Sequence, residues 1–119
     1  MNYLVVALGG ALGASVRYGL GNISIKDNFP YMTFVINVAG AVLIGLVVGL
    51  MMSKEDMNPY LILFAKVGVC GGFTTFSTFS LEVFDMLEDN HIFLGIVYAV
   101  ASVVTCVAGV WLGRKLVIG

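Results

Sequence analysis

One ten-residue run, Gly71–Ser80, concentrates residue types that can bind an ion within an apolar helix, reading Gly-Gly-Phe-Thr-Thr-Phe-Ser-Thr-Phe-Ser. Two adjacent glycines weaken a helix, and the threonines after them can satisfy freed backbone groups through their hydroxyls. Carbonyl oxygens exposed at such a break are hard ligands that suit a small cation. The run therefore indicates either an ion site or a simple kink at a close helix crossing.

Within this run, Phe76 and Phe79 are three residues apart and share one helix face. A phenyl ring has an electropositive edge, so rings turned edge-on to a pathway could attract an anion without offering it a full charge. Packing against lipid or a protein core is the other interpretation of such a pair. Ser77, Thr78 and Ser80 add hydroxyl donors around the same turns.

Two other apolar segments carry isolated polar side chains. Asn37 lies in the middle of one segment, where a buried amide needs a partner, so it is either a link between helices or a donor to an ion. Tyr98, Ser102 and Cys106 follow one another at intervals of four, with Thr105 beside them, and form a polar stripe on one helix. The stripe could replace water around an anion, or its hydroxyls could bond back to their own helix.

The charged residues near these segments lie towards the helix ends. Arg17 and Lys66 are each predicted to be a structural anchor or a vestibule charge, and Glu82 either lies at the mouth of a pathway or is a solvated helix end. His91 has no partner pattern and is interpreted as a loop residue. No nucleophile–base pair or metal-ligand cluster is evident, which argues against an enzyme.

The elements that position these residues are predicted to be membrane helices. Hydrophobic residues make up 60% of the 119 residues and charged residues 11%, whereas an ordinary soluble domain is roughly 25% charged. A spanning helix needs about 20 mostly apolar residues. Four segments qualify: Tyr3–Leu20, Tyr31–Met52, Tyr60–Phe84 and Ile92–Leu112.

The connections between the segments are too short for an extramembrane domain, so we expect one four-helix transmembrane domain over 1–119. The net charge of −1 offers no basic field for nucleic acid. Small residues at intervals of four, namely Gly9 with Gly13 and Ala41 with Gly45 and Gly49, are predicted to be contact faces between helices.

Four thin helices enclose little space, so a selective pathway is easier to build from two chains, and a homodimer is expected. An even number of spans places both termini on one side of the membrane. That side carries Lys54, Arg114, Lys115 and, nearby, Lys66, whereas the other carries Lys26 and Arg17. Such a weak bias of positive charge permits insertion in both orientations.

These features together resemble the Fluc (CrcB) family of fluoride channels. The resemblance covers nearly the whole chain and is carried by Gly9–Arg17, by Asn37–Gly40 and, most specifically, by Gly71–Phe79. It implies an antiparallel, dual-topology homodimer in the bacterial inner or plasma membrane, with two fluoride pathways.

The resemblance also implies roles for individual residues. The fluoride pathway would comprise Asn37, Phe76, Phe79, Ser77, Thr78, Tyr98 and Ser102. Arg17 and Glu82 would lie in the vestibule, and the backbone carbonyls of Gly71 and Thr74 from both chains would hold a structural Na⁺ at the dimer centre. Cys106 departs from the hydroxyl residue expected at its position, where Thr105 could compensate.

The predicted function is passive, fluoride-selective efflux from the cytoplasm, which lowers fluoride toxicity. The alternative is a small multidrug-type exporter that exchanges protons for cationic drugs. That chemistry needs a carboxylate within the membrane, and Glu82 lies near the end of its segment. A non-transporting assembly subunit held together by its glycine faces is a further possibility.

Overall fold

The computed structural model describes residues 1–23, 29–54 and 56–119, and all regular elements in these ranges are helical. Lys26, which enters the charge comparison above, lies outside them. Four helical stretches in the described ranges are long and apolar enough to cross a membrane. They are α1 (Asn2–Gly21), α2 (Tyr31–Ser53), a composite third span (Pro59–Glu88) and α6 (Ile92–Ile118).

The third span comprises four pieces: α3 (Pro59–Ile62), a π-helical segment (Leu63–Cys70), α4 (Gly71–Phe73) and α5 (Phe76–Glu88). It begins where Asn58 caps the helix by accepting a hydrogen bond from the Tyr60 N–H at 2.9 Å. Proline at the first helical position suits this start, since its missing N–H would have no helical partner there. The apolar pattern did not predict the π-helical segment.

Two threonines separate α4 from α5. Thr74 (φ −82°, ψ 157°) and Thr75 (φ −147°, ψ 118°) are extended, whereas Gly71 is helical (φ −63°, ψ −39°). The Thr75 hydroxyl accepts a hydrogen bond from the Thr78 N–H at 3.1 Å and so caps α5. The unwound residues are therefore the β-branched, capping threonines rather than the glycines at which the sequence predicted weakness.

Small residues allow the helices to approach closely, as their spacing predicts. A Cβ added to Gly9 of α1 would lie 2.5 Å from the carbonyl oxygen of Phe64, and Gly13 meets the backbone of the same π-helical segment. A Cβ on Gly45 of α2 would lie 2.3 Å from the carbonyl oxygen of Val110 in α6. The two tight helix pairs are thus α1 with the third span and α2 with α6.

Large apolar side chains cover much of the outside of the chain, while few are buried. Phe93, Val107 and Leu116 are among the many that are exposed, and Tyr98 is the largest fully buried side chain among the described residues. Such a surface would be unfavourable in water but is matched by lipid. The exposed surface and the lengths of the helices therefore agree with a multi-pass membrane setting.

Candidate ion pathway

Two cavities flank the unwound residues. The first, called the groove here, has a volume of about 440 Å³ and lies between α2, the third span and α6. Its lining includes most of the predicted pathway and cation residues, namely Asn37, Gly71, Thr74, Phe76, Phe79 and Ser102, together with Lys66, Thr75 and Cys106. Residues from three different spans thus converge on one space.

The second cavity, called the vestibule here, has a volume of about 710 Å³. Arg17, Thr33, Thr78 and Glu82 line it, and Thr75 borders both the vestibule and the groove. The structure therefore divides the predicted residues between two adjoining spaces. Of the predicted pathway residues, Ser77 is exposed and Tyr98 is fully buried, and neither is among those lining the two cavities.

The two phenyl rings occupy different environments. Their centroids are 5.7 Å apart and their planes are inclined by 48°. Phe79 and Tyr98 make an edge-to-face contact, with centroids 5.1 Å apart at 61°, and this contact restrains the orientation of Phe79. The Phe76 side chain is 78% exposed in the single chain. One ring is thus held by the protein, while the other opens onto the groove.

Asn37 links two helices. Its Nδ2 donates to the Thr75 carbonyl oxygen at 3.0 Å, and its Oδ1 accepts from the Thr75 N–H at 2.8 Å. The link between helices that the sequence left open is therefore present. A carboxamide has two N–H bonds, and the pairing with Thr75 uses one of them. The side chain also lines the groove.

The polar stripe on α6 does not behave uniformly. Thr105 donates back to the carbonyl of Ala101, which is the self-bonding alternative and occupies the hydroxyl proton. Ser102 is only 6% exposed, and its Oγ has no hydrogen-bond partner within the described chain. Cys106 is half-buried and lines the groove. The hydroxyl proton of Thr105 is therefore not available to the groove, and Cys106 is the residue that continues the stripe beyond the unpaired Ser102 hydroxyl.

Glu82 joins three spans at the vestibule. Its Oε2 accepts from the Thr33 hydroxyl at 2.8 Å and its Oε1 accepts from the Tyr98 hydroxyl at 3.0 Å. The carboxylate is therefore an integrated part of the vestibule wall rather than a freely solvated helix end. Arg17 is half-buried, and its Nε donates to the Gly72 carbonyl at 3.1 Å. It both lines the vestibule and anchors α1 to α4.

The carbonyls of Gly71 and Thr74 lose their usual helical donors. In a continuous α-helix they would accept from the N–H groups of Thr75 and Thr78. Those N–H groups bond instead to the Asn37 side chain and to the Thr75 hydroxyl. Both residues line the groove, and Gly71 is exposed in the single chain whereas Thr74 is half-buried. Carbonyl oxygens without a helical donor are hard ligands that fit a small cation such as Na⁺.

Two residues at the site were not among the predicted site residues. Thr33 is buried and binds Glu82, and it lies four residues before Asn37, so helical spacing on α2 could have revealed it. Thr75 borders both cavities, but its role depends on a bond to a residue 38 positions away. No local pattern reports such a bond.

Comparison with known proteins agrees with these features. The family model described as "CrcB-like protein, Camphor Resistance (CrcB)" matches residues 4–114. The "Fluoride-specific ion channel FluC 2" of Nitrobacter hamburgensis is 42% identical, covering 98% of this chain and 97% of its own length. The "Fluoride-specific ion channel FluC" of Ruminiclostridium cellulolyticum is also 42% identical, with coverage of 98% and 92%. That of Flavobacterium psychrophilum is 41% identical, with coverage of 91% and 90%. With a family match over nearly its whole length and full-length relatives at this identity, the chain belongs to the CrcB-like family.

Proposed function

We propose that this protein is a fluoride-selective ion channel that lets fluoride leave the cytoplasm passively and thereby lowers fluoride toxicity. The observation that carries the proposal is the unpaired, buried Ser102 hydroxyl in a groove that also contains an amide and two phenyl rings. The names of the full-length relatives support the same function. The protein is a multi-pass membrane channel and not an enzyme.

The chemistry of the groove suits a small anion that must lose its water. Moving a bare ion into hydrocarbon costs tens of kcal/mol, so the wall must replace hydration. Weak donors such as the Ser102 hydroxyl, the second N–H of Asn37 and the phenyl edges can do so without trapping the ion. A narrow path between rings also disfavours the larger chloride. Hydrogen fluoride crosses lipid uncharged and ionises inside, and the anion then leaves through the channel down its electrochemical gradient.

The pathway we propose runs between the vestibule and the groove. Fluoride would meet Arg17 and Thr78 in the vestibule and pass the partition formed around Thr75. The remaining proposed pathway residues are Asn37, Phe76, Ser77, Phe79, Tyr98 and Ser102. Glu82 completes the vestibule by holding the Thr33 and Tyr98 hydroxyls in place.

A second copy of the chain would close the groove. Phe76 is 78% exposed and the groove opens on the side of the chain, so one copy supplies only part of a wall. We propose an antiparallel, dual-topology homodimer with two pathways in the bacterial inner or plasma membrane. The weak difference in positive charge between the two sides supports insertion in both orientations.

We further propose that the interruption at Thr74 and Thr75 is a functional break in the third span, and that it serves a structural Na⁺ at the dimer centre. The Gly71 and Thr74 carbonyls would hold the ion, because both have lost their helical donors. When bound, the ion supplies positive charge that offsets the carbonyl dipoles of the two broken helices. Unwound backbone carbonyls hold sodium in other transport proteins by the same principle.

A fluoride-electrode efflux assay on protein reconstituted in liposomes tests the function, with chloride-loaded liposomes as the control. Fluoride efflux without chloride efflux is expected. Phe76→Ile should abolish fluoride efflux yet leave the assembly unchanged in size-exclusion chromatography, since isoleucine keeps an apolar side chain at this exposed position and removes only the aromatic ring. Absence of fluoride flux in the unsubstituted protein would refute the function, and unchanged flux in Phe76→Ile would refute the role of the ring.

A further inference from the structure

Asn37 and Thr75 form a two-bond pair that resembles one rung of a β-ladder. An extended residue points its N–H and C=O to the same side, and a carboxamide presents a donor and an acceptor side by side. The two distances of 2.8 and 3.0 Å show that both bonds are well formed. The side chain of α2 thus behaves as a short partner strand for a single residue of the third span.

This pair changes the hydrogen bonding of the neighbouring turns. The Thr75 N–H is the group that would bond to the Gly71 carbonyl if α4 continued into α5. Because Asn37 Oδ1 accepts the hydrogen bond from that N–H, the Gly71 carbonyl is left without its helical donor. Holding Thr75 extended also places its hydroxyl on the Thr78 N–H, which releases the Thr74 carbonyl in the same way.

Close packing of α2 against the unwound residues is independent evidence that the fold maintains the Asn37–Thr75 pair. Gly40 lies three residues after Asn37, and a Cβ added there would lie 2.1 Å from Thr74 Cγ2. A larger residue at this position would require either the Thr74 side chain or α2 to shift. A shift of α2 would take the short Asn37 side chain out of reach of the Thr75 backbone.

We infer that Asn37 is the positioning residue that keeps the third span unwound and so presents the Gly71 and Thr74 carbonyls to a cation. The inference rests on the proposed sodium site for its consequence, although the hydrogen bonds themselves do not depend on any ion. Through this link, a residue on the anion pathway also determines the geometry of the cation ligands. Removing an outer group that orients metal ligands typically lowers metal affinity about 10- to 100-fold.

The first arm of the test reads the backbone directly. Solid-state NMR of isotope-labelled, reconstituted protein should give Thr75 ¹³Cα and ¹³Cβ shifts typical of extended backbone, with a contact between Asn37 ¹³Cγ and Thr75 ¹⁵N. In Asn37→Leu, which keeps the bulk but loses both bonds, the Thr75 shifts should move towards helical values. Helical Thr75 shifts in the unsubstituted protein, or extended shifts retained in Asn37→Leu, would overturn the inference.

The second arm measures the cation. The melting temperature of detergent-solubilised protein is recorded against Na⁺ concentration, with N-methylglucamine holding the ionic strength constant. Asn37→Leu should raise the half-saturating Na⁺ concentration at least tenfold, in line with the loss of an orienting group. The matched control is Thr33→Val, which removes another hydrogen bond between α2 and the third span but leaves Thr75 untouched. It should lower the melting temperature without changing the half-saturating concentration.

The outcomes separate the two claims. An unchanged half-saturating Na⁺ concentration in Asn37→Leu would overturn the positioning role. A melting temperature of the unsubstituted protein that does not depend on Na⁺ would refute the proposed sodium site. In that case the NMR arm still decides whether Asn37 holds Thr75 unwound.

Discussion

Replacing Ser102 by alanine should affect stability and conduction in opposite directions. The side chain is 6% exposed, and its Oγ has no hydrogen-bond partner within the described chain. A buried hydroxyl without a partner costs about 1–3 kcal/mol. Ser102→Ala removes that cost at little loss of volume, so the free energy of unfolding should rise by about 1 kcal/mol. A gain of this size corresponds to a few degrees in the melting temperature.

Conduction should fall because the same hydroxyl is proposed to replace water around fluoride. A hydrogen bond to a charged group contributes about 1.5–3 kcal/mol. If that amount is lost at the highest barrier, the rate falls roughly 10- to 150-fold, at about 1.4 kcal/mol per factor of ten. Another hydroxyl in the groove would reduce the fall in efflux rate, so the calculated range is an upper limit.

The assay pairs fluoride-electrode efflux from liposomes with thermal unfolding of the same preparation. Thr105→Val is the matched control, because its hydroxyl already donates to its own helix and one span carries both residues. It should leave efflux within about twofold of the unsubstituted rate, a free-energy change of under 0.5 kcal/mol. Lower stability in Ser102→Ala would show that the hydroxyl has a partner in the assembled protein. Unchanged efflux would show that fluoride does not use it.

Three further predictions test other parts of the structure. Gly45→Ala should destabilise the protein by about 1–3 kcal/mol, because the new methyl group meets the backbone of α6. Gly19→Ala, with no other group within 4 Å of the added Cβ, should change the stability little. Thermal unfolding compares the two variants. Thr33→Val and Glu82→Gln should each destabilise the protein by about 1 kcal/mol. Because the two residues share a hydrogen bond, the double variant should be destabilised by less than the sum of the two single effects, and additive effects would contradict that bond. Lys66→Met should slow efflux at low ionic strength and have little effect near 1 M salt, where screening is strong; a difference independent of salt would contradict an electrostatic role for this groove-lining charge.

The sequence correctly predicted the features that depend on the residue pattern of a single helix. Apolar runs located all four spans, and only their ends differ: the third continues to Glu88 and the fourth to Ile118. Both extensions carry charged residues, so hydropathy placed the ends too early, although a helix can continue beyond the apolar region. Spacing of four likewise predicted the contact faces of Gly9 and Gly45, because close packing between membrane helices depends on small residues.

Features that depend on contacts between spans were not predictable from the local pattern. The glycines were expected to unwind, yet Gly71 is helical, because the bonds from Asn37 select Thr75 instead. In the same way, the role of Glu82 is determined by hydroxyls from α2 and α6, which its own segment does not reveal. Interhelical hydrogen bonds of this kind join positions far apart in the chain.

The π-helical segment Leu63–Cys70 affects the direction in which Gly71 and the residues after it face. A π turn takes up more residues than an α turn, so the segment shifts the angular phase of every residue after it. An α-helical wheel drawn through the whole third span would therefore rotate Gly71 and its neighbours onto the wrong side. Inserting or deleting one residue within Leu63–Cys70 should re-aim the groove-lining residues relative to α1, even if the length and hydrophobicity of the span hardly change.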